Sequence, residues 1–158
     1  MKVAIVVYSQ TGNTKSVAEK IKSCLITEGH VADYLPISAE KKEKDNPMEK
    51  PVFVGLPDLG NYDAFVFGTS VEAFNLCRTM QAYLKQLGQN DKKAVCLTTQ
   101  GFMKSWLGGN AAQKKMAQLL SEKGYKVAGG ANVNWKKEEG RDGRIEEAVS
   151  KICELLKE

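Results

Sequence analysis

The sequence holds a single histidine, His30, and four cysteines, Cys24, Cys77, Cys96 and Cys153, with no two of them close together. One histidine makes a Ser-His-Asp hydrolase untenable and leaves no histidine-based metal site. The scattered cysteines match neither a disulfide framework nor a metal-ligand spacing, and they read as reduced, mostly buried thiols. No apolar run approaches the roughly 20 residues that a membrane helix needs, and the N-terminus lacks a signal-peptide pattern, so a cytoplasmic protein without a membrane partner is expected. Basic residues are not clustered with aromatics, which argues against nucleic-acid binding. Repeats and low-complexity linkers are also missing, so residues 1–158 are expected to form one domain.

What the chain does have is an ordinary composition, 42% hydrophobic and 27% charged with a net charge of +4, and a regular alternation of strand and helix signals. Residues 3–9 form a near-continuous apolar run, as in a strand buried on both faces. Residues 14–28 carry Val17, Ala18, Ile21, Cys24 and Leu25 at helical spacing, and Gly29 follows as a stop. Residues 31–37 read as a less apolar strand nearer an edge. Residues 38–59 are polar, then punctuated by proline and glycine, and suggest a short, poorly formed helix within a long connection. Strands are expected at 62–69, 93–99 and 126–133, the last weakened by Gly129 and Gly130. Helices are expected at 76–87, 110–123 and 142–157. Five strands alternating with helices predict an α/β fold, a doubly wound five-stranded parallel sheet covered by helices on both faces. In such sheets ligands bind outside the carboxyl ends of the strands.

The most informative segment follows the first strand: Ser9-Gln10-Thr11-Gly12-Asn13-Thr14. It is rich in hydroxyls, contains no charged side chain and opens directly into a helix. Backbone N–H groups and the helix dipole at such a junction favour an anion, and the hydroxyls of Ser9, Thr11 and Thr14 can donate to phosphate oxygens. Other phosphate sites fit poorly. A nucleotide triphosphatase loop needs a glycine directly before its lysine and another glycine five residues earlier, whereas Gly12 is separated from Lys15 by two residues and the first glycine is missing. A dinucleotide site needs three glycines, and this loop has one. A phospho-receiver needs acidic residues where Ser9, Gln10, Gly68 and Thr69 stand. A cysteine phosphatase needs its nucleophile in this loop, whereas Cys77-Arg78 lies at a helix start and reads as packing plus a surface charge.

With Tyr8 before it, this segment resembles the phosphate loop of flavodoxins and flavodoxin-like FMN proteins, of the short-chain type. The resemblance extends to Gly68-Thr69-Ser70-Val71 after the third strand and Thr98-Thr99-Gln100-Gly101 after the fourth. It implies a flavodoxin-like sheet of order 2-1-3-4-5 and FMN as cofactor. Ser9, Gln10, Thr11, Gly12, Asn13 and Thr14 would hold the phosphate. Thr69, Ser70, Val71, Glu72, Phe74 and Asn75 on one side, and Thr99, Gln100, Gly101 and Phe102 on the other, would flank the isoalloxazine ring, with Trp106 close behind. Phe74, Phe102 and Trp106 are the candidate stacking partners, and the backbone of the second loop would respond to the redox state of the ring. The implied function is an electron carrier between a reductase and an acceptor, meeting redox proteins transiently. The alternative is an FMN-dependent NAD(P)H oxidoreductase of the quinone-reductase kind, favoured by the basic balance and by the long loop at 101–109. Many flavodoxins crowd carboxylates around the ring; here the second loop offers only Glu72 and the third offers Lys104. Fewer like charges imply a less negative second reduction step.

Overall fold

The structure, a computed structural model, describes residues 1–40, 50–101 and 108–158. Strand β1 (Lys2–Tyr8) leads to helix α1 (Asn13–Thr27), then β2 (Val31–Pro36), the short β3 (Ser38–Ala39) and β4 (Phe53–Val54), β5 (Ala64–Glu72) and β6 (Asn75–Leu76). Helix α2 (Arg78–Lys85), β7 (Lys93–Gln100), α3 (Gly109–Glu122), β8 (Lys126–Asn134) and α4 (Arg141–Lys157) complete the chain. The long strands pair in parallel in the order β2-β1-β5-β7-β8, the 2-1-3-4-5 order expected once the short strands are set aside. The less apolar β2 takes an edge.

Alternation along the strands divides the core in two. Val3, Ile5 and Val7 of β1 face α1 and α4 and build an aliphatic layer with Ile21, Leu25, Ile145 and Ile152. Ala4 and Val6 face α2 and α3, where the layer is aromatic. Phe65 and Phe67 stack at 5.8 Å, and Tyr125 meets both edge-on at 5.4 and 5.5 Å. Helices on both faces follow from the return crossovers that parallel strands require.

Three features differ from the sequence reading. The flanks of the 38–59 connection are strands: β3 and β4 pair antiparallel, and residues 41–49 lie outside the described residues. The third long strand does not stop at Thr69. It runs to Glu72 and turns back through β6, which takes Leu76 out of the helix expected at 76–87. The glycine pair in the last strand makes a bulge instead of a simple weakening: the pairing with β7 skips a residue between Val127 and Gly129, where φ is +141°. Glycine tolerates that angle; other residues rarely do.

Candidate functional site

Parallel pairing sends β1, β5 and β7 to the same rim, and the register levels Tyr8 with Thr69 and Ser70 with Thr99. The three loops singled out in the sequence therefore start side by side. Gly68 brings them closer. A side-chain carbon there would lie 3.2–3.3 Å from Leu97, Val7 and the Thr14 methyl, so its absence lets the first turn of α1 settle onto β5. From that position Thr14 Oγ1 reaches Thr99 Oγ1 at 2.8 Å.

The first loop is open and free of negative charge. Gly12 precedes α1 with φ +87°, and nothing lies within 4 Å of where its side chain would stand. The first turn of α1 carries no acidic residue, and the cap residue supplies no side-chain hydrogen bond. Ser9 Oγ instead accepts from the backbone N–H groups of Gly12 (3.2 Å) and Lys15 (3.4 Å). A single hydroxyl thus stands where an anion's oxygens would gather the same donors. Gln10, Thr11 and Gly12 are exposed, and Ser9 and Asn13 are half-buried. Thr14 is buried and committed to Thr99, so its hydroxyl belongs to the joint between loops.

The second loop is a tight hairpin. Val71 pairs with Leu76 and Glu72 with Asn75, leaving Ala73 and Phe74 as the two-residue turn, with φ +49° and +63°. Both angles are those of a type I′ turn, yet neither residue is glycine or asparagine. Glu72, Phe74 and Asn75 are exposed, Phe74 by 52%, while Ser70 and Val71 are half-buried. Thr69 is fully buried, and its Oγ1 has no hydrogen-bond partner. It lies beneath the rim and lines no open surface. Under the hairpin, burial pushes the Cys77 thiol up, with Glu72 adding to the effect. Burial alone pushes Cys96 up to about 12. Neutral, enclosed thiols are packing groups, not nucleophiles.

Of the third loop, Thr99 and Gln100 are buried and Gly101 is exposed. Phe102 and Trp106 lie outside the described residues. Beneath the loop is a polar layer that sequence reasoning missed. Gln113 Nε2 donates to Thr98 Oγ1 (2.9 Å) and to the Ala131 carbonyl (2.9 Å). Thr98 Oγ1 donates to Asn132 Oδ1 (2.8 Å), and Asn132 Nδ2 donates to Gln100 Oε1 (2.9 Å). Gly109 and Gly130 make room for these amides: a side-chain carbon would come within 2.1 Å of Gln100 Oε1 at the first and 2.0 Å of Gln113 Oε1 at the second. The signal was present as Asn132 and Asn134, two polar residues at a spacing of two in an otherwise apolar strand. A separate open cavity of about 340 Å³, lined by Leu59, Tyr83, Leu87, Asn90 and Tyr125 among others, lies at the opposite end of the sheet.

The family model for flavodoxin matches residues 5–150. Among solved structures, oxidised flavodoxin 1 from Bacillus cereus is similar at 17% identity, with 99% of this chain and 98% of that chain covered and a TM-score of 0.69. A flavoprotein from Lactobacillus acidophilus NCFM, solved in complex with FMN, is similar at 18% identity, with 93% and 97% covered and a TM-score of 0.68. A flavodoxin from the domain Archaea is similar at 18% identity, with both chains fully covered and a TM-score of 0.64. No curated protein matches the sequence. At these identities the structural likeness speaks for the fold. Among the described residues, no helix is long and apolar enough to cross a membrane.

Proposed function

Because this chain belongs to the flavodoxin family, we propose that it binds FMN noncovalently at the three-loop rim and carries electrons between a reductase and an acceptor protein. The observation that carries this reading is the first loop: backbone donors gathered on one hydroxyl, open space at Gly12 and no carboxylate in the first turn of α1. A phosphate monoester fits such a cradle because its oxygens can accept from the amides that Ser9 now engages and from the exposed hydroxyl of Thr11. Bound FMN would supply one- and two-electron chemistry. The protein's part is placement. Ser9, Gln10, Thr11, Gly12 and Asn13 would hold the phosphate, and Thr14 would fix their position through Thr99. Ser70 to Asn75 and Gly101 would border the ring, with exposed Phe74 at one side. Glu72 is the one carboxylate in the second loop, and a single like charge opposes the reduced, anionic ring less than a cluster would. Transient redox partners would meet this edge.

The test begins with FMN titrated into the purified chain, followed by flavin fluorescence and absorbance. Saturable uptake is expected. Thr14 is a poor place for an acidic test substitution, since a carboxylate there would also break the buried pair with Thr99. Thr11→Glu sets a negative charge in an exposed part of the cradle and should weaken FMN at least a hundredfold while the chain stays folded by circular dichroism. Unchanged affinity would reject the phosphate site. Anaerobic NADPH or NADH, added to the loaded protein without a partner, should leave the flavin oxidised until a reductase is supplied. Immediate bleaching would replace the carrier with an NAD(P)H oxidoreductase.

A further inference from the structure

At the end of the molecule opposite the rim, α1 and α4 finish side by side. Cys24, in the last turn of α1, and Glu28, the residue that caps the helix, stand four positions apart, and Cys153 faces them from α4. The two sulfurs and a Glu28 carboxylate oxygen all lie within 4.8 Å of one another, with Cys24 Sγ and Glu28 Oε1 at 3.9 Å. We propose that Cys24, Cys153 and Glu28 form a site for a soft divalent cation of the zinc class.

The donor set is right for such an ion: two thiolates and one carboxylate are common zinc ligands, with a fourth position left for water. Sulfur–zinc distances of about 2.3 Å place tetrahedral ligands roughly 3.5–3.8 Å apart, so rotamer-scale movements close the cluster. The surroundings also favour a cation. Two helix C-termini converge here, each with the negative end of its dipole. A positive group already occupies the position: Lys157 Nζ lies 3.0 Å from Glu28 Oε1 and 3.4 Å from Glu154 Oε1. Both partners of the Lys157–Glu28 pair are partly open to solvent, 41% and 29% exposed, so Lys157 can turn to Glu154 as the ion enters by Glu28. Two thiolates and a carboxylate then bring −3 and the cation +2, with Lys157 and Glu154 offsetting each other, so the occupied site carries a net charge of −1. In binding, each thiol gives its proton to solvent and forms one sulfur–metal bond while the ion sheds water; nothing is oxidised or reduced. Both thiols must lose a proton to bind the ion, so occupancy should fall at acid pH.

The test uses the full chain, reduced by a phosphine and kept anaerobic, with Co²⁺ as the probe. One equivalent should produce sulfur-to-cobalt charge-transfer absorption with release of two protons per ion in weak buffer, and Zn²⁺ should then bleach the band with no further proton release. Cys24→Ser, at a half-buried position that should not affect folding, is expected to lose about half of the charge-transfer intensity and weaken Zn²⁺ at least tenfold. Glu28→Gln should keep the band and weaken the ion about tenfold, as loss of one oxygen ligand would. Absence of a charge-transfer band in the wild-type chain would overturn the proposal. So would a band that persists when Cys24 and Cys153 are both replaced by serine, because the sulfur would then belong to Cys77 or Cys96.

Discussion

The first and second rim loops both carry the backbone through positive φ, and they do it by opposite means. In the first, glycine sits at the left-handed position with nothing around it. In the second, Ala73 and Phe74 hold that conformation without glycine, at roughly 1–2 kcal/mol each. A strained turn persists when its surroundings over-determine it. Here the β5–β6 pairing clamps both ends of the turn, and Gly108 lies directly against it. The first loop is shaped by what it leaves open for a ligand. The second is shaped by what presses on it.

Gly108→Ala should break that contrast most severely. A carbon added there would sit 2.7 Å from Phe74 Cα, 2.9 Å from Phe74 C and 2.8 Å from Val71 Cγ1, at a φ of +120°. Backbone, not a flexible side chain, would have to move. Urea unfolding should show a loss of about 3 kcal/mol, and the FMN-binding rim should loosen with the hairpin. A stability within 0.5 kcal/mol of the parent would mean that the start of α3 does not hold the turn.

Thr99→Val comes next. It leaves the Thr14 hydroxyl buried without its partner, a cost of about 1–3 kcal/mol, and uncouples the first loop from the third. The double variant Thr14→Val, Thr99→Val removes both polar atoms and should recover part of that stability while FMN affinity stays lowered. Equal losses in the single and double variants would show that the pair is not a joint between the loops.

The two loops also differ in how far the sequence disclosed them. The first was legible because its features are local: an apolar strand, an uncharged run with Gly12, then a helix. The alternation of strands and helices was legible for the same reason, since period and turn signals repeat along the chain, while the sheet order came with the resemblance to flavodoxins. The hairpin was not legible. Residues Ala73-Phe74 carry no turn signal; among the described residues the β5–β6 pairing and the close approach of Gly108 to Phe74 account for the turn. The amide layer of Gln100, Gln113 and Asn132 joins residues from three separate elements, and in the sequence just the spacing of Asn132 and Asn134 hinted at it. The burial of Thr14, Thr69 and Thr99 was hidden too, because a hydroxyl residue near a loop looks alike whether it faces ligand or neighbour. The same holds for Cys24 and Cys153, distant in sequence and adjacent only once α1 and α4 pack.

Ala73→Asn sharpens the comparison with the smallest change. It gives the second loop what the first already has, a residue suited to positive φ, without touching the pairing of Glu72 with Asn75. Asparagine is favoured at the first position of a type I′ turn, and unlike glycine it adds little freedom to the unfolded chain. Relief of part of the strain should raise stability by about 0.5–1 kcal/mol, seen as a rise of roughly 1–4 °C in Tm for a domain of this size. Ala73 offers no side-chain polar atom, so FMN affinity should stay within twofold. A raised Tm with clearly weakened FMN would mean that the strained turn is itself part of how the ring is held. An unchanged Tm would mean that the clamp from β6 and Gly108 sets the turn so firmly that residue 73 no longer matters.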